Sequence, residues 1–119
     1  MIKKRLASFG FAFKGIRTLI SSQPNARIHL VAMMVVIAAG VFFQVSNTEW
    51  LVLTLTMTLV MAAEGFNTAL EFLTDLVSPN YHELAGKTKD VAAGAVLITA
   101  FGAIVIGMII FVPKIMTYL

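Results

Sequence analysis

Glu64, Asn67, Glu71 and Asp75 follow one another at offsets of three, seven and eleven residues from the first. At 3.6 residues per turn these offsets return to nearly one angle, so the four side chains share a helix face. The stretch leading into them, Trp50-Leu-Val-Leu-Thr-Leu-Thr-Met-Thr-Leu-Val-Met-Ala-Ala63, carries no charge after Glu49. A carboxylate carried into a bilayer is expensive and by default marks a functional site. Such a group can pair with a base, carry protons or ions, or help hold a metal. No Lys or Arg lies within residues 50–73 to serve as a structural partner.

Several features favour a metal–nucleotide site. Glu71 and Asp75 are oxygen ligands of the kind Mg²⁺ takes. Asn67 can offer both amide hydrogens and a carbonyl. Lys87 and Lys89 are compact positive charges suited to phosphates. Glu64, the deepest of the four, is placed to meet a lipid hydroxyl as a general base. Together these parts suit phosphoryl transfer to a lipid alcohol, a reaction that needs mostly positioning and charge neutralisation. Gly86-Lys87-Thr88 has the ending of a phosphate-binding loop, but the required earlier glycine falls on Tyr81 and no strand precedes it, so the match carries no weight. His29 and His82 are isolated in the sequence, and interfacial hydrogen bonding is expected of them before metal binding.

The elements that must position these groups are membrane helices. Of 119 residues, 59% are hydrophobic, a composition outside the range of a water-soluble domain of this length. There is no cysteine, which excludes disulfides, thiolate zinc sites and cysteine nucleophiles. Six of the nine Lys and Arg residues, Lys3, Lys4, Arg5, Lys14, Arg17 and Arg27, precede the first long apolar run. Basic residues beside a membrane segment imply anionic lipid headgroups as partners, and not nucleic acid. That apolar run begins near Ile28, too late for a cleavable signal peptide.

The pattern predicts an all-α integral membrane protein forming a single domain over 1–119. Ile2, Leu6, Phe9, Phe13, Ile16 and Ile20 form a stripe over 2–20, with Lys3, Lys14 and Arg17 off it. This is the signature of an amphipathic helix lying in the membrane interface. Ser21-Ser-Gln-Pro24 ends it. Transmembrane helices are predicted over 28–45, 50–73 and 91–112, with Trp50 as an interfacial anchor and Pro113-Lys114 closing the last. Lys87 and Lys89 in the second loop, with the basic N-terminus, put both on the cytoplasmic side of a cell membrane. The acids then lie in the cytoplasmic half. Ala95, Thr99, Ala103 and Gly107, four apart, would let helices approach closely, though small residues are also abundant in such helices. Three spans enclose two carboxylates poorly, so an oligomer is expected.

The stretch Glu64-Gly-Phe-Asn67-Thr-Ala-Leu-Glu71-Phe-Leu-Thr-Asp75, with Tyr81-His-Glu-Leu-Ala-Gly-Lys-Thr-Lys89-Asp90-Val-Ala-Ala-Gly-Ala-Val96, resembles the prokaryotic diacylglycerol kinase family, which includes the bacterial undecaprenol kinases. The similarity extends to Lys14-Gly-Ile-Arg17. It implies a homotrimer with three spans and an interfacial helix per subunit, a site shared between neighbouring subunits, and transfer of the γ-phosphoryl of MgATP to a lipid hydroxyl. By the resemblance, Glu64 is the general base, Asn67 a polar group of the active site and Glu71 a magnesium ligand. Asp75, Glu83, Lys89 and Asp90 match positions around the nucleotide, and Lys87 and Arg17 are placed with them. Gln23 stands where the family often has a second, magnesium-contacting glutamate; an amide carbonyl can bind a cation but lacks the charge. Arg27-Ile-His29-Leu, Glu49-Trp50 and Val77-Ser-Pro-x-Tyr-His82 look closer to the undecaprenol kinase branch.

Two other classes compete. A proton- or cation-coupled transporter would use the same acids, but the outer half of the second span offers only Thr54, Thr56 and Thr58. A structural membrane subunit would pair the acids with a partner's bases.

Overall fold

The computed structural model describes Met1–Leu119 as helices α1 (Ile2–Ser22), α2 (Pro24–Phe42), α3 (Asn47–Val77) and α4 (Glu83–Met116). The protein is all-helical, and α2, α3 and α4 are each long and apolar enough to cross a membrane. The helices start earlier than the hydropathy pattern implies, and α3 and α4 also run on past it. Polar residues continue a helix once it leaves the apolar layer, so hydropathy marks the layer and not the helix. With 31 and 34 residues, α3 and α4 are about 46 and 51 Å long at 1.5 Å per residue, well beyond a hydrocarbon core of about 30 Å.

Local chemistry sets most of the joints. Gln23 is extended (φ −114°, ψ 111°), ends α1 and serves as the N-cap of α2. Pro24 follows at the first helical position, where its missing N–H costs nothing. The end of α2 is a Schellman motif: the Val45 N–H donates to the Gly40 carbonyl (3.1 Å) and the Gln44 N–H to that of Val41 (3.3 Å). Gln44 occupies the left-handed position at φ 51°, a place that favours glycine. Ser46 then caps α3 in a reciprocal box. Its hydroxyl accepts from the Glu49 N–H (3.1 Å), and the Glu49 carboxylate accepts from the Ser46 N–H (3.0 Å). At the far end the His82 Nδ1 accepts from the Leu84 N–H (3.1 Å) and caps α4.

The expectation that Pro113-Lys114 would close the third span is corrected. Helix α4 passes through Pro113 to Met116, although proline has no N–H to donate to the carbonyl one turn back. Lys114 is thereby brought to Glu49 at 2.9 Å, so the start of α3 and the end of α4 are tied together. Trp50, expected as an interfacial anchor, is half-buried, and its ring lies against Gly40. A Cβ at Gly40 would overlap the indole ring at Cη2. Glycine there is what allows α2 and α3 to meet through the tryptophan.

The core is slender. Only 11 of 119 residues are buried, so most apolar side chains face outward. Helix α3 packs chiefly on α4 and less on α2. On α4 the buried positions are Ala92, Val96 and Ile110. Thr99, Ala103 and Gly107 of the small-residue stripe are half-buried, while Ala95 is exposed. The stripe therefore serves the chain's own packing only in part. No residue of α1 is buried, and Ile2, Leu6, Phe9, Phe13 and Ile16 are all exposed.

Gly40→Ala is expected to destabilise the protein by about 1–3 kcal/mol, through overpacking against Trp50. Gln44→Gly should stabilise it by about 1 kcal/mol by relieving the left-handed side-chain clash. Reversible unfolding in detergent micelles reads both.

Candidate active site

The four residues first singled out lie along α3 as a graded ladder. Glu64 is 1% exposed and Asn67 7%; Glu71 is half-buried and Asp75 exposed. From Glu64 to Asp75 the helix rises about 16 Å. The gradient exists because α4 covers α3 at the level of Ala92 and Val96, and α2 covers it beside Glu64, while the last turns of α3 extend past the start of α2.

Glu64 is the largest fully buried side chain of the protein. Its backbone carbonyl accepts from the Thr68 hydroxyl at 2.9 Å, which spends that buried polar group locally. The Leu19 side chain of α1 lies 3.7 Å from where a Cβ of Gly65 would stand, closing the site from that side. The His29 Nε2, from α2, stands 3.8 Å from the Glu64 Oε2. His29 had no assigned partner in the sequence, yet it is the basic group that meets the deepest acid. Counting residues from the helix ends would not reveal this contact. His29 is five residues past the start of α2 and Glu64 thirteen before the end of α3, so depth matching fails when α3 overruns α2.

One turn further along, the Asn67 Nδ2 donates to the Glu71 Oε1 at 3.5 Å. The Asn67 Oδ1 is buried without a partner. A buried acceptor left open is costly unless something completes it. Beside a carboxylate, an open amide oxygen suits a hard cation or the hydrogen of a hydroxyl. At the top, the Lys89 Nζ of α4 donates to the Asp75 Oδ1 at 2.5 Å.

The structure thus brings Glu64, Asn67, Glu71, Asp75 and Lys89 to one side of the α3–α4 hairpin and adds His29. It does not bring the other expected residues into contact with them within one chain. Lys87 pairs with Glu83 on the exposed surface at 3.5 Å. Asp90 is exposed and makes no ion pair, as does Arg17. The Gln23 side chain reaches only the Ser22 hydroxyl, at 3.5 Å. No three His, Cys, Asp or Glu side chains of one chain converge to cage a metal. The Glu71 carboxylate and the open Asn67 Oδ1 are the hard oxygen donors that remain, a set that could supply only one or two ligands to a cation such as Mg²⁺.

Three helices apolar enough to span a bilayer, one of them carrying a graded ladder of acids that starts from a buried carboxylate, define a membrane protein. Residues 10–111 match the family described as prokaryotic diacylglycerol kinase, and the chain belongs to that family. It is 41% identical to a diacylglycerol kinase of Synechocystis over 94% of this chain and 65% of that protein. It is 36% identical to the undecaprenol kinase of Bacillus subtilis over 90% of this chain and 87% of that one. Identity to the diacylglycerol kinase of Escherichia coli is 30% over 81% and 79% of the two chains. The chain thus spans just under two thirds of the length of the Synechocystis relative.

The Asp75–Lys89 pair is exposed enough for water to screen it. A double-mutant cycle with Asp75→Asn and Lys89→Met should give a coupling of no more than about 1 kcal/mol in unfolding. A larger coupling would make the pair a structural strut.

Proposed function

We propose that this chain is an integral membrane lipid kinase that transfers the γ-phosphoryl group of ATP, with Mg²⁺, to the hydroxyl of undecaprenol or diacylglycerol. The observation that carries this reading is the sealed carboxylate of Glu64 at the foot of a ladder that opens at one end only. Family membership supports the activity. The relatives bear both substrate names, so the sequence impression of an undecaprenol branch remains a proposal to be tested.

In this reading Glu64 accepts the proton of the lipid hydroxyl as it attacks phosphorus. Asn67 orients the hydroxyl or the phosphoryl oxygen through its amide. Glu71, with the open Asn67 Oδ1, would hold Mg²⁺, which supplies charge neutralisation at the phosphates when bound. Lys89 lies next to the ladder's exposed end and can turn from Asp75 to a phosphate. Gln23, Arg17, Lys87, Glu83 and Asp90 lie outside the ladder within one chain, so their expected roles at the metal and nucleotide require a neighbouring subunit. A homotrimer, sharing its sites between subunits, meets that need. The unpartnered apolar stripe of α1 and the basic residues beside it suit a helix lying in the interface among anionic headgroups. The basic N-terminus and the segment carrying Lys87 and Lys89 then face the cytoplasm, where ATP is.

A transporter needs a polar path to the other side. The outer threonines do not provide one: the Thr56 hydroxyl donates to the Val52 carbonyl (2.7 Å), and the Thr58 hydroxyl to those of Thr54 and Leu55 (3.0 and 2.9 Å). The hydroxyl hydrogens of Thr56 and Thr58 are thus turned onto their own helix.

The test is transfer of labelled γ-phosphate from MgATP in mixed micelles, with undecaprenol and diacylglycerol side by side. Glu64→Gln should lower turnover by about 10²–10⁴-fold, the range of general-base contributions, while the oligomer stays folded. Wild-type turnover in that variant would refute the base assignment. Absence of labelling of any lipid alcohol by folded wild-type protein would refute the kinase reading.

A further inference from the structure

His29 is unused by the reaction as outlined, yet it is the basic residue closest to the presumed base. Its Nε2 is 3.8 Å from the Glu64 Oε2, and its side chain is 21% exposed where that of Glu64 is 2%. The imidazole therefore bridges a sealed carboxylate and the outside of the helix bundle. It also borders a cavity of about 270 Å³ between the three spans, walled by Val36, Leu53, Val60 and Ile104 among others. No other ionisable group competes for it. Helix α4 presents only Ala100, Ala103, Ile104 and Gly107 to that cavity. From α1, Leu19 is the side chain against this part of α3. On α2 itself, Arg27 turns away and donates to the Ser21 carbonyl at 3.4 Å. The next acid on the ladder, Glu71, is two turns from Glu64 along α3.

A buried base that collects a proton in each turnover must lose it before the next. Glu64 has no exposed surface of consequence, and His29 is the basic side chain beside its carboxylate. We propose that His29 is the proton partner of Glu64: it holds the carboxylate in place and takes the proton that Glu64 collects. This rests on the kinase reading for its catalytic meaning, but the pairing itself is independent of turnover.

The step balances as follows. The lipid O–H bond breaks and its proton goes to the Glu64 carboxylate. The lipid oxygen forms a bond to the γ-phosphorus as the bond to the bridging oxygen breaks, its electron pair leaving with ADP. Glu64 then passes the proton to the His29 Nε2, and the imidazolium gives it up to water before the next turnover. The transfer requires the two side chains to close by about 1 Å, from ion-pair to hydrogen-bond distance. Histidine suits the task because it gains and loses a proton near neutral pH.

The experiment combines imidazole nitrogen NMR with turnover. The chain has two histidines, so isotope-labelled histidine gives a spectrum that His29→Gln assigns directly. The His29 imidazole nitrogen signals should move when Glu64→Gln is introduced, while those of His82 stay put. Unchanged His29 signals in the two proteins would overturn the pairing, whether or not the protein proves to be a kinase. In the micelle assay His29→Gln should lower kcat about tenfold with the lipid KM within about twofold, the split expected when a group acts after binding. Added imidazole should raise the rate of His29→Ala. Full activity and an unchanged pH–rate profile in His29→Gln would overturn the proton role.

Discussion

A carboxylate kept from both water and lipid needs protein on every side, and in a chain this short that demand shapes the rest. Glu64 is the one large side chain fully enclosed, in a protein with only a slender apolar core. Helix α3 must be long enough to carry the acid at depth and still reach the surface with Asp75. Helix α4 must run beside it through the same distance, and α2 must end its bend early enough to lay His29 against it. Without such partners the desolvation of an ionised carboxylate costs several kcal/mol.

The two ends of the helix bundle divide the work. At one end lie the Ser46 capping box, the Glu49–Lys114 pair, the Schellman turn and the Trp50–Gly40 contact, all within a few residues of one another in the fold. These fix the register of α2, α3 and α4. The other end carries the open Asn67 oxygen, the exposed Asp75–Lys89 pair and a polar loop. The contacts that fix the helices are thus kept apart from the open polar groups, so the polar end can rearrange without loosening the bundle.

Much of this was legible in the sequence. Helical spacing alone put Glu64, Asn67, Glu71 and Asp75 on one face, and hydropathy located three apolar helices near their observed places. The ends of those helices were less legible, because capping and turn geometry decide them: Gln44 takes a left-handed conformation that its residue type does not advertise, and Pro113 sits inside a helix it was expected to end. The His29–Glu64 contact was illegible because it depends on how far α3 overshoots α2, a property of tertiary packing. Gln23 stands where the family often has a glutamate and Arg17 was placed with the nucleotide, but within one chain both lie away from the ladder, so neither spacing nor resemblance said what they would touch.

The central claim is a site sealed at Glu64 and open from one side. The chain lacks cysteine, so single cysteines at positions 64, 67, 71 and 75 can be probed in oriented vesicles with a membrane-impermeant thiol reagent. The account predicts labelling that rises steadily from position 64 to position 75, only when the reagent is on the face carrying the N-terminus. Labelling of position 64 or 67 from the opposite face would reveal a path through the protein and contradict the account.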